Sequence, residues 1–76
     1  MTKPEFYNLL DELMELDPGT IKGDERLVDI SQWDSLAIIG FIALIDQHFG
    51  ISVAATRITS CENVAGLVAI VEDRLT

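Results

Sequence analysis

The sequence is poor in the residues that most often carry chemistry: it has one cysteine, one histidine, one tryptophan and five basic side chains. A lone cysteine excludes an internal disulfide. His48 and Cys61 stand thirteen positions apart with no second ligand beside either, so no paired-ligand zinc motif is present and no metal is expected. Five basic against thirteen acidic residues give a formal charge of −8, which repels nucleic-acid backbones and anionic membrane surfaces and points to basic partner surfaces instead. The longest apolar run, Leu36 to Ile45, is about half of the roughly 20 residues that span a bilayer, so membrane insertion is not expected. Neither Gly19 nor Gly23 belongs to a nucleotide-binding fingerprint. No basic and apolar leader precedes the first helical pattern, and the cytoplasm is the expected compartment.

What is present is enough apolar material to fold. Hydrophobic residues make up 49% of the chain, which offsets the charge and argues against disorder. Seventy-six residues cannot fill two cores, so residues 1–76 are expected to form a single, monomeric domain. In TKPEFYNLLDELMEL, Thr2 and Glu5 stand at capping-box spacing and Pro4 lies in the first turn. Phe6, Leu9, Leu10, Leu13 and Met14 or Leu16 then recur at helical intervals. Asp11, Glu12 and Glu15 fall between them and read as a solvated face. DPGTIKGDERLVDISQWD has no helical period and forms a long loop, which Ile21, Leu27, Ile30 and Trp33 pin by burial.

Asp34 opens the second helix as its N-cap, with Ser35 as the first helical residue and Gly50 as the stop. Ile38, Phe41, Ile42, Ile45 and Phe49 form its core stripe, and Leu36, Ile39, Gly40, Ala43 and Gln47 fall on another face. The link 51–58 carries a weak signal for one short helical turn. The last helix opens on a second capping-box pattern, Thr59 and Glu62, and buries Val64, Leu67, Val68 and Val71; Gly66 marks close packing against a neighbouring helix. The fold expected is an all-α bundle of three main helices plus a short or vestigial helix in the 51–58 link, cut to a turn or lost, with a long loop between the first two.

His48 reads as a surface residue at a helix C-terminus and Cys61 as a small apolar anchor. Ser35 offers more. A hydroxyl in the first turn of a helix stands where free N–H groups and the helix dipole favour negative charge, so a phosphodiester there is well placed. Asp34 beside it has the chemistry to bind a metal ion or accept a proton during a transfer reaction. On the dipeptide alone, the two residues do no more than begin a helix.

The wider segment, WDSLAIIGFIALIDQHFGI, resembles the second-helix region of acyl carrier proteins and peptidyl carrier domains, in which Asp-Ser-Leu opens the helix after a long loop. The resemblance extends over most of the chain: an acidic first helix, a loop with Leu and Ile, the Asp-Ser-Leu start, the Phe-Gly-Ile end and a last helix opened by ITSCENV. It implies that Ser35 carries 4′-phosphopantetheine, donated by coenzyme A through a phosphopantetheinyl transferase, with Asp34 and Leu36 beside the attachment point. It also implies a carrier that is not itself an enzyme. The arm's thiol would hold acyl or aminoacyl groups as thioesters for loading and transferring enzymes, which would meet Ile39, Gly40, Ala43 and Gln47.

The sequence departs from the fatty-acid carriers, which present several carboxylates along this helix; here those positions read Gly40, Asp46 and Gln47. That departure favours a specialised stand-alone pathway over housekeeping fatty acid synthesis. An acidic helical interaction module without a prosthetic group is the competing class, and only Asp34 and Ser35 speak against it. An enzyme using Ser35 as its own nucleophile lacks a base, because His48 lies about 20 Å further along the helix.

Overall fold

Phe41 organises the interior. Its ring is fully buried and meets Phe6 edge-on at 6.2 Å and Trp33 edge-on at 5.9 Å, which joins the first helix, the long loop and the second helix at one point. The computed structural model covers residues 1–76 and contains four helices and no sheet: α1 (Lys3–Leu13), α2 (Ser35–Phe49), α3 (Ala55–Thr59) and α4 (Val64–Val71). Short 3₁₀ turns lie at Leu27–Asp29 and Glu72–Arg74. The all-α bundle of three main helices with a short helix in the link is thus the observed architecture, and α3 ends one residue beyond the expected link.

Helix α1 starts as its capping box requires. The Glu5 N–H donates to the Thr2 hydroxyl at 3.3 Å and the Thr2 N–H donates to the Glu5 carboxylate at 2.9 Å. The backbone donor of Thr2, followed by its hydroxyl, holds the Glu5 carboxyl below its ordinary pKa. The helix stops at Leu13, so Leu16 is not part of it; Met14 is the C-cap and contributes to the core. Glu15 follows with φ of 57°, a left-handed conformation in which glycine is usual. The Leu16 N–H then reaches the Asp11 carbonyl at 2.8 Å, and the Glu15 N–H the Glu12 carbonyl at 3.2 Å. This pair of bonds is a Schellman closure, and it turns the chain sharply into the loop.

Asp11 is not on a solvated face, contrary to the expectation from periodicity. Its side chain is 1% exposed, and the two carboxylate oxygens accept the N–H groups of Gly19 and Ile21, each at 2.9 Å. A buried carboxylate persists only when its lone pairs are satisfied, and the returning loop supplies the donors. A second carboxylate, Glu25, accepts from the N–H groups of Lys22 and Gly23 at 2.7 and 2.9 Å. Partial burial pushes the Glu25 carboxyl up, but these backbone donors and the Lys22 charge outweigh it and leave it below its ordinary value.

The loop is then tied to the far end of the chain. The Leu27 N–H donates to the Glu62 carbonyl at 3.0 Å and the Val64 N–H to the Glu25 carbonyl at 2.9 Å, a two-bond bridge around Arg26 and Asn63. Ile21 and Leu27 are buried and Ile30 and Trp33 half-buried, so the four expected pins all hold the loop to the core.

Helix α4 corrects the sequence reading at its start. Thr59 closes α3, and α4 begins at Val64 with Asn63 as its cap, the Asn63 side chain accepting the Gly66 N–H at 3.0 Å. Thr59 and Glu62 therefore do not cap it; the Glu62 carbonyl and the Val64 N–H are taken by Leu27 and Glu25, so the helix starts only at Val64. Val64, Leu67, Val68 and Val71 are buried as expected. Gly66 is tight, but against Cys61 rather than a helix: a Cβ there would lie 3.2 Å from the Cys61 Cβ and 3.3 Å from its Sγ.

Candidate functional site

The tip of α2 is where loop and helix converge, and its geometry follows from Asp34. This residue is extended (φ −118°, ψ −174°), and its carboxylate accepts the Ala37 N–H at 2.9 Å while its carbonyl accepts the Ile38 N–H at 3.0 Å. The N–H groups of Ser35 and Leu36 remain, pointing out of the helix tip with no protein acceptor. Ser35 is exposed, and the acidic side chain at that positive end is the Asp34 cap, which engages the Ala37 N–H and leaves the N–H groups of Ser35 and Leu36 free. Ahead of it the Trp33 N–H donates to the Ile30 carbonyl at 3.0 Å and the Trp33 ring rests on Phe41, which fixes where the loop delivers the helix.

Alanine at position 34 tests this arrangement. Asp34→Ala is expected to cost about 1 kcal/mol, because the Ala37 donor loses its cap. The corresponding fall in Tm is about 4–8 °C. Thermal unfolding followed by circular dichroism measures it, and an unchanged Tm would show that the cap carries no stability.

The partner-facing candidates separate once side chains are placed. Leu36 and Ile39 are 75% and 63% exposed, and Ala43 and Gln47 are exposed further along the same helix. Gly40 is different: it is half-buried, and a Cβ there would come within 2.6 Å of Leu13 Cδ1. It leaves room for the Leu13 side chain of α1, and the 3.6-residue spacing that put it on the outer face did not register that side chain lying over the edge. The core stripe also shifts. Phe41 and Ile45 are fully buried and Ala37 joins them, whereas Ile38, Ile42 and Phe49 are half-buried at the rim.

Two clefts flank the tip. One, of about 360 Å³, lies between the end of α1 and the start of α2 and is lined by Leu13, Met14, Gln32, Asp34 and Leu36 among others. The second, of about 490 Å³, lies between the loop, α2 and the end of α3, with Val28, Ile30, Trp33, Ile38 and Cys61 in its walls. Val28, 76% exposed on the 3₁₀ turn, is the residue that sequence reasoning missed. Its one signal is an apolar residue beside the buried Leu27. His48 is exposed, as expected for a helix C-terminus. The Cys61 thiol is half-buried, donates to the Arg57 carbonyl at 3.4 Å, and is pushed up in pKa by burial, with the nearby Arg57 charge opposing. That leaves it a poor nucleophile.

A small helical domain with an exposed serine in the first turn of its central helix, beside two N–H groups that no protein atom accepts, has the geometry to hold a phosphodiester there. The family model for the phosphopantetheine attachment site matches residues 5–71, and the chain belongs to that family, the acyl and peptidyl carrier proteins. No curated protein and no solved structure matches it. The group borne by this family is covalently attached 4′-phosphopantetheine, and its domains act as carriers for transferases and biosynthetic enzymes rather than as catalysts. The residues at the α2 tip fit that group: an exposed hydroxyl to attach it, and two unengaged N–H groups at a positive helix end to receive its phosphate charge. No helix is long and apolar enough to cross a membrane.

Proposed function

We propose that Ser35 is the attachment point, and that residues 1–76 act as one carrier domain presenting acyl or aminoacyl intermediates to partner enzymes. The exposed position of Ser35 at the tip of α2 carries this reading. When bound, the arm supplies a thiol for thioester chemistry. The chain's own part is to hold the phosphodiester: the helix tip favours its charge, Asp34 fixes the first turn, and the flanking Leu36 marks the surface that partners reach. The scarcity of acids on α2, where Asp46 stands alone, supports a specialised pathway with its own loading enzymes rather than fatty acid synthesis.

Incubation with coenzyme A and a broad-specificity phosphopantetheinyl transferase, followed by intact mass measurement, tests the attachment. The parent is expected to gain one phosphopantetheine and Ser35→Ala none. A parent of unchanged mass, or a variant that is still loaded, overturns the assignment.

A further inference from the structure

No further inference is drawn: the strongest candidate, the apolar groove between α1 and α2 lined by Leu9, Leu13, Gly40, Ala43 and Leu44 among others, is an unpartnered face, and nothing in the structure shows what covers it.

Discussion

Phe41→Ala is expected to lower stability by about 3–5 kcal/mol, the usual loss when a buried aromatic side chain leaves a cavity. The site cannot collapse to fill the space, because Phe6 and Trp33 approach the ring from separate elements and each is fixed by its own backbone. Phe6 has a second edge-on contact with Phe49 at 6.0 Å, which limits how far it can follow the missing ring. A domain of this size has roughly 0.05–0.15 kcal/mol of stability per residue, so the loss removes a large share of the total. In a thermal melt, Tm should fall by at least about 12 °C. The near-ultraviolet signal of Trp33 should weaken in the native state, because its packing partner is gone. A Tm within about 5 °C of the parent would show that Phe41 does not centre the core.

Asp11→Ala should cost about 2–4 kcal/mol for a different reason. The carboxylate removed is the acceptor for two backbone donors, and hydrogen bonds to a charged group are worth more than neutral ones. Ile21 is buried, so its N–H is left without a partner and without water. Asp11→Asn should cost roughly half as much, since the amide oxygen still accepts one bond while its NH₂ faces the other donor. Amide hydrogen exchange locates the effect: Gly19 and Ile21 should both lose protection in Asp11→Ala, and only one of them in Asp11→Asn. Glu12→Ala, one residue along and exposed, should change Tm by less than about 3 °C. Unchanged protection at Ile21 in Asp11→Ala would rule out the carboxylate as the clamp on this loop.

These two residues also show where a sequence can be read and where it cannot. Phe41 lies on an apolar stripe with period 3.6, and repetition along one helix announces burial without any knowledge of the partner. Asp11 and Glu12 are adjacent acids between Leu10 and Leu13, and nothing local marks one of them for burial. Only the loop returning over the end of α1 distinguishes them, because the donors that make burial tolerable come from residues eight and ten positions later. The same logic separates the two helix starts. Asp34 caps α2 where the sequence suggested, since nothing distant competes for it. Thr59 and Glu62 have an equally good local pattern, but the Glu62 carbonyl and the Val64 N–H are taken by Leu27 and Glu25, and the helix starts only at Val64.

At the candidate site, the aspartate, the serine and the following leucine were legible because an N-cap, a first-turn hydroxyl and an apolar run are all local features. Gly40 and Val28 were not. Position 40 belongs to the outer face of α2 by angle, yet Leu13 of α1 reaches over it. Val28 lies in a stretch without periodicity, so its direction depends on how the 3₁₀ turn is anchored.

Local order alone therefore determined the helices, the cap at Asp34, the exposed hydroxyl chemistry of Ser35 and the resemblance that the family match later supported. Tertiary structure decided which acid is buried, where α4 begins, and which apolar side chains remain outside. The physical reason is range. Helix periodicity and capping are settled within about four residues of chain, whereas burial of Asp11, closure over Gly40 and presentation of Val28 each depend on groups brought together from different elements.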